Sequence, residues 1–256
     1  MFTNKKCLII GASSGLGAEC ANIMAEFNAE LILTGRDLDR GNEVVKNIGK
    51  SAKFYQCDIT IPQQINELFK HIKDKYGYLN YAINNAGITA PRASIMNIDF
   101  LSWSQIINTN LNGVLQCLKH ELHLMRTIPD GAIVNVSSCA GVLAIPDQAA
   151  YCVSKAALNM LTKVAAIENA QDNGNGHAVR INAVAPGPIL GGMNSIENLK
   201  SNPESTKKKI EVTAMKRMAK PEEVAKAIIF LLGSGASYMT GSIVDIDGGY
   251  SSGKYS

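Results

Sequence analysis

The sequence predicts an α/β domain built on a doubly wound, parallel, seven-stranded sheet with helices on both faces. Three observations predict it. Short, continuously apolar runs alternate with longer segments of helical spacing almost from end to end, the pattern of a parallel sheet covered on both sides. No Pro/Gly/Ser-rich linker, repeat or low-complexity stretch divides residues 1–256, which therefore read as one domain. The first apolar run also leads straight into a glycine-rich turn and then an amphipathic segment, a strand–turn–helix arrangement suited to a phosphate.

The first strand is read at 6–10, where Cys7, Leu8, Ile9 and Ile10 form a buried-type run. Gly11, Gly15 and Gly17 follow in GASSGLG, where glycine lets the backbone approach a pyrophosphate and the next helix presents free N–H groups. Further strands are read at 30–34, 53–56, 78–83, 132–136, 179–183 and 242–246. Between the third and fourth, Ile65, Leu68, Phe69, Ile72 and Tyr76 follow helical spacing, with Pro62 suited to the first turn and Gly77 to the end. Two long central helices are expected near 102–125 and 149–170. The stretch 188–217 breaks the rhythm: it is polar, contains Gly191, Gly192 and Pro203, and carries no strand signal. It follows a strand end, where open α/β sheets bind ligands, so it is expected to be an irregular substrate lid.

Composition narrows the class. With 46% hydrophobic and 18% charged residues the chain is ordinary for a globular protein rich in buried strands. A net charge of +3, spread along the sequence, argues against nucleic acid as the main partner. The six cysteines show no paired spacing, and His120 and His123 have no evident third ligand, so neither a disulfide framework nor a metal site is expected. Lys5 and Lys6 precede only a few apolar residues, too few for a signal peptide, and no run is long enough to span a membrane. The expectation is a cytoplasmic protein.

The chemistry is concentrated in AYCVSK. Tyr151 and Lys155 stand four residues apart, one helical turn, so the phenol and the ammonium share a face. A cation beside a phenol favours the phenolate, so Lys155 is expected to draw the Tyr151 pKa down toward working pH. Such a Tyr can give or take a proton at a carbonyl or alcohol oxygen, and Ser138, thirteen residues upstream, can hold that oxygen. Cys139 and Cys152 are read as packing residues.

Taken together these motifs resemble the short-chain dehydrogenase/reductase family in its single-domain, Rossmann-like form, over nearly the whole chain. GASSGLG resembles the family's cofactor loop, CDIT supplies Asp58, NNAG runs from Asn84 to Gly87, NTNLNG supplies Asn110, and Pro186–Gly187 and Asp247–Gly249 match two later signatures. The resemblance implies a catalytic set of Asn110, Ser138, Tyr151 and Lys155, with Asn110 in a water-linked proton relay and Lys155 also on the nicotinamide ribose. It implies cofactor contacts from Gly11, Ser13, Ser14, Gly15, Leu16, Gly17, Arg36, Asp58, Ile59, Asn85, Ala86, Gly87, Tyr151, Lys155, Pro186, Gly187 and Ile189. Two positions depart from the pattern. Ile10 replaces a usual Thr, and Gly191 and Gly192 stand where a Thr often contacts the cofactor, which is expected to weaken its binding modestly.

The cofactor is read from the end of the second strand, ELILTGRD. Gly35 occupies the position where an acidic residue would hold the ribose of NAD, and Arg36 follows, which favours the 2′-phosphate of NADP. Asp37 keeps NAD(H) as the alternative. The expected reaction is hydride transfer between nicotinamide and a small carbonyl or secondary alcohol. The alternatives are a 3-oxoacyl-[acyl-carrier-protein] reductase, docking its acidic carrier through Lys119, Arg126, Lys163 and Lys207–Lys209, and a catalytically silent cofactor-binding regulator. By resemblance the chain forms a homotetramer, or a dimer, through the two central helices and the last strand.

Overall fold

The computed structural model describes residues 2–253 except 90, 173, 175 and 193. In chain order its elements are β1 Lys6–Ile10, α1 Gly15–Glu26, β2 Glu30–Gly35, α2 Leu38–Ile48, β3 Ala52–Gln56, α3 Pro62–Tyr76 and β4 Tyr81–Asn84. Then come α4 Phe100–Ile107, α5 Val114–Met125, β5 Gly131–Val136, α6 Ala149–Glu168, β6 Val179–Pro186, α7 Ile196–Ser201, α8 Pro203–Glu211, α9 Pro221–Leu232 and β7 Ile243–Ile246. The seven strands form one parallel sheet in the order β3-β2-β1-β4-β5-β6-β7. The order reverses between β1 and β4, which opens a crevice at the carboxyl ends of those strands.

The apolar runs explain the layers. Successive side chains of a strand point to opposite faces, so Cys7 and Ile9 enter one core with Leu31, Leu33, Ile83 and Val134. Leu8 and Ile10 enter the other with Ile32, Ala82 and Ile133. Helices α1 and α9 cover the first face through Cys20, Met24, Val224 and Ile228; α3, α5 and α6 cover the second through Ile65, Ile72, Cys117 and Leu158. Each fully buried Leu or Ile contributes about 1.5–3 kcal/mol relative to exposure, so the two cores together fix the strand register.

Four readings need correction. β4 starts at Tyr81 rather than 78, because Asn80 instead ties β1 down: its backbone N–H donates to the Lys6 carbonyl at 3.0 Å and its Oδ1 accepts from Lys6 N at 2.9 Å. β6 runs on to Pro186 because Ala183–Pro186 pair with β7. The stretch 188–217, expected to be irregular, holds α7 and α8; Met193 lies outside the described residues. Both helices are started by polar caps, Ser195 accepting from Asn198 N and Asn202 from Ser205 N, rather than by an apolar stripe. Finally, the long helix expected over 102–125 is present with a π-helical interruption, Asn108–Gly113, between α4 and α5.

Candidate active site

β1 ends in a turn that only glycine permits. A Cβ on Gly11, which adopts φ +82°, would stand 2.7 Å from the Ala86 backbone N, and one on Gly17 would strike the Gly11 carbonyl oxygen. Asn85 locks this close approach from β4, its Nδ2 donating to the Gly11 carbonyl at 2.7 Å. The first turn of α1 therefore begins at the mouth of the crevice, with N–H groups that have no intrahelical acceptor. A cleft of about 810 Å³ runs from here to α6. All the expected site residues line it except Gly17, which acts through packing, and Asn110, which is fully buried behind it.

At the β2 end, Arg36 and Asp37 line the cleft together with Arg40, which sequence reading missed. Its only signal was a second arginine one helical turn after Arg36. Asp37 caps α2, Oδ1 accepting from Arg40 N at 3.0 Å, and pairs through Oδ2 with Arg40 Nε at 3.3 Å. Asp58 Oδ1 accepts from the Thr60 N–H and hydroxyl at 2.9 and 2.7 Å, so this carboxylate shapes a turn as well as facing the cleft. The other expected signatures are also turns: Gly187 lies where a Cβ would stand 2.8 Å from the Asp247 carbonyl oxygen, and Asp247 in turn accepts from Gly249 N and Ser251 N.

The opposite end is built by β5 and α6. Ser137 and Ser138 both line the cleft, but the Ser137 hydroxyl donates to the Lys155 carbonyl at 3.3 Å, whereas Ser138 hydrogen-bonds to the Tyr151 phenol. Lys155 Nζ donates to the Val136 carbonyl at 2.8 Å and stands 5.8 Å from the centre of the Tyr151 ring. Asn110 reaches the same place from the π segment. Its Oδ1 accepts from Ile88 N at 2.8 Å, and its Nδ2 donates to the Ile88 carbonyl at 2.9 Å and to Ser154 Oγ at 3.1 Å. A Cβ on Gly87 would stand 3.3 Å from Lys155 Nζ and 3.4 Å from Asn110 Oδ1, which places those two groups side by side.

The expected direction of the Tyr151 shift is overturned. Burial pushes its phenol up to about 12, against the pull of the Ser138 hydrogen bond, and Lys155 is not among the groups moving it. Burial also brings the Lys155 ammonium down to about 8. The phenol is therefore protonated and the lysine largely cationic near neutrality, an arrangement able to deliver a proton to an oxygen held by Ser138. Cys139 lies at the same end with its thiol pushed up to about 11 by burial. Among the described residues no three His, Cys, Asp or Glu side chains converge to hold a metal, and His120 stacks on Phe69 at 4.9 Å.

Known proteins agree with this geometry. Residues 11–251 match a family described as Enoyl-(Acyl carrier protein) reductase. The chain is 34% identical over 272 residues to a 3beta-hydroxysteroid dehydrogenase of Mediterraneibacter gnavus, covering 97% of this chain and 95% of the relative. It is 35% identical over 253 residues to the 3-oxoacyl-[acyl-carrier-protein] reductase FabG of Thermotoga maritima, covering 96% and 97%. The solved structure described as ElxO with NADP bound superposes with a TM-score of 0.89 at 31% identity, covering 98% of this chain and all (100%) of that one. With the glycine turn, the switch-point cleft and these relatives in agreement, the chain belongs to the short-chain dehydrogenase/reductase family of oxidoreductases.

Proposed function

We propose that the protein interconverts a small ketone and the corresponding secondary alcohol, with NADP(H) as redox partner. The observation that carries this reading is the one cleft joining the glycine turn and Arg36 to Ser138, Tyr151 and Lys155. The residues fit the cofactor: the glycine turn leaves no room for side chains, and Arg36 and Arg40 face the β2 end. Asp37, just past the end of β2, has both carboxylate oxygens engaged by Arg40, which leaves it poorly placed for the ribose of NAD and supports NADP. Gly192 closes on the glycine turn instead of a threonine, its Cα 3.2 Å from where a Gly15 Cβ would be. The relative with NADP bound supports the same cofactor.

When bound, the reduced nicotinamide supplies a hydride to the carbonyl carbon. Tyr151 donates its phenolic proton to the carbonyl oxygen as charge develops there, and takes a proton back in the oxidative direction. Ser138 donates a hydrogen bond to that oxygen and holds it in place. Lys155 keeps the site cationic, and with only one of its N–H groups used by Val136 it has others for a ribose hydroxyl or a water. Asn110 has both amide hydrogens committed, so a water relay would use the remaining lone pair of Oδ1 beside Lys155. Residues 188–217 are the lid: Ile189, Leu190 and Asn194 line the cleft, while backbone bonds between Pro188, Leu190 and Ala219 tether the segment.

The acyl-carrier reading rests on the FabG relative but has less physical support. Lys207 and Lys208 pair with Glu211 and Glu204 within α8, and Arg126 donates to Asn169 and to the Gly176 carbonyl, so three of the candidate docking cations already have partners within the chain. A silent regulator is disfavoured because all four catalytic groups meet. We also place the protein in the cytoplasm as a homotetramer, with a dimer as the simpler alternative. Exposed Leu115, Met160, Val164 and Ile167 on α5 and α6 support assembly, and the six free cysteines support a reducing compartment. The test is reductant oxidation over a panel of cyclic ketones, steroid ketones, sugars and acetoacetyl thioesters. NADPH is expected to exceed NADH about tenfold or more in kcat/KM; equal use, or turnover of none of them, overturns the reading.

A further inference from the structure

The chain beyond β6 turns back over the start of α1. Gly191 and Asn194 exchange backbone hydrogen bonds, Gly191 N donating to the Asn194 carbonyl at 3.0 Å and Asn194 N to the Gly191 carbonyl at 2.9 Å. This turn brings the Gly192 backbone N to 3.3 Å from where a Cβ on Gly15 would stand, in the first turn of α1. Ile189, Gly192 and Asn194 line the same cleft as Gly15.

Asn194 has one donor left. Its backbone N–H and carbonyl are used by Gly191. Its Oδ1 accepts from Nζ of Lys209, on α8, at 2.7 Å, and its Nδ2 donates to the Ile189 carbonyl at 2.8 Å. The amide cannot be turned over, because an ammonium only donates and a carbonyl only accepts. The second Nδ2 hydrogen therefore has no acceptor among the described residues, and it belongs to a side chain that lines the cleft.

Lys209 fixes that donor. Lys207 and Lys208 pair with Glu211 and Glu204 along α8, whereas Lys209 is half-buried and directs its charge at the amide oxygen. A cation at the oxygen polarises the amide and strengthens the N–H at its other end. Across from this turn, the first N–H groups of α1 have no intrahelical acceptor and favour an anion. An anion on the glycine turn can therefore be met from both walls.

We propose that Asn194 closes the cofactor's pyrophosphate into the cleft, its free Nδ2–H donating to a phosphate oxygen that the glycine turn holds from the other side, with Lys209 as the positioning residue that orients the amide. This rests on the NADP(H) reading and adds to it the residues that cover the phosphates. The pyrophosphate is favoured over the nicotinamide because Gly192, in the same turn as Asn194, packs against Gly15.

The test is calorimetric titration of the full chain with three ligands: NADP+, 2′-phospho-ADP-ribose, which lacks nicotinamide, and adenosine 2′-phosphate, which lacks the pyrophosphate. Asn194→Ala is expected to weaken the first two about tenfold or more and to leave the third within about twofold of native. Asn194→Asp keeps an acceptor for Lys209 without the amide donor; it is expected to give the same pattern and replaces the alanine variant should that one not fold. Lys209→Met is expected to show the same selective loss, and Lys209→Arg to bind within about twofold of native, since it keeps an N–H for Oδ1. The Asn194→Ala/Lys209→Met pair should bind like Asn194→Ala alone, because one residue acts through the other. Loss for NADP+ alone would place the contact at the nicotinamide and overturn the assignment, as would equal loss, or no loss, for all three ligands. A further loss from Lys209→Met in the Asn194→Ala background, or no recovery with arginine, would overturn the positioning role. A native protein that binds NAD+ as tightly as NADP+ contradicts the cofactor reading alone. Asn194 is then judged by the same contrast between ADP-ribose and adenosine, because the pyrophosphate is common to both cofactors. Binding of no dinucleotide overturns both.

Discussion

Burial, more than mutual attraction, sets the protonation of Tyr151 and Lys155. The one-turn spacing of the pair was legible in the sequence, as was Ser138; their solvation was not, because it depends on how β5 packs against α6. That is why the expected fall in the phenol pKa became a rise. The cost of the buried cation gives a stability prediction. Lys155 has a folded pKa of about 8 against an ordinary 10.5, so below pH 8 both states carry the proton and the fold bears the full desolvation cost. Between those two values the unfolded chain holds more protons, and stability rises with pH. Lys155→Met is therefore expected to stabilise the protein by on the order of 1–3 kcal/mol at pH 7, with the gain shrinking toward pH 10.5 while activity is lost. Urea denaturation of both proteins at pH 7 and pH 10 checks it. Arg40 shows the other limit of sequence reading: a second arginine one turn along a helix is common on any surface, and only the end of β2 reveals that it faces the cleft.

Among the elements, strands were easier to read than the polar stretch 188–217. Continuous apolar runs such as Cys7–Ile10 have no other place to go than between two layers, so β1 was predicted residue for residue. Helices α7 and α8 carry their start signals in single polar side chains, Ser195 and Asn202, within a stretch dominated by Lys, Glu and Asn, so no apolar period announced them. Helix α5 holds a further surprise. Glu121 is fully buried against β4, accepting from Asn84 Nδ2 at 3.0 Å, and Asn84 also donates to Asn135, which donates to Thr162 on α6. Burial raises the Glu121 carboxyl to about 8, and Glu121 Oε1 and Asn84 Oδ1 are without hydrogen-bond partners. Since the folded state keeps this proton above the ordinary value of 4.5, the contribution of Glu121 is whole below pH 4.5 and is lost as pH rises through 8. Glu121→Gln supplies a permanent donor for Asn84. Its stability relative to the native protein is expected to improve between pH 5 and pH 8 by on the order of 1–3 kcal/mol, read from thermal or urea denaturation at those two values.

For the whole molecule, the reversal of strand order between β1 and β4 places the glycine turn and the α6 residues on one crevice although they lie far apart in sequence. The family resemblance anticipated that meeting; the residues alone could not, because periodicity says which segments are strands and not which strands are neighbours. The faces of α5 and α6 left to solvent belong to the same scale. Val164→Glu with Ile167→Glu is expected to shift the sedimenting species from an oligomer to the 27.4 kDa protomer, whereas a native protein already sedimenting as a protomer would contradict the assembly. The most direct measurement of the central claim pairs turnover with binding in Tyr151→Phe. With a ketone that the native protein reduces, kcat is expected to fall by about 10²–10⁴ while NADPH still binds, as followed by its fluorescence. Turnover within a few fold of native, with the cofactor bound, would show that the phenol is not the proton donor and would contradict the account.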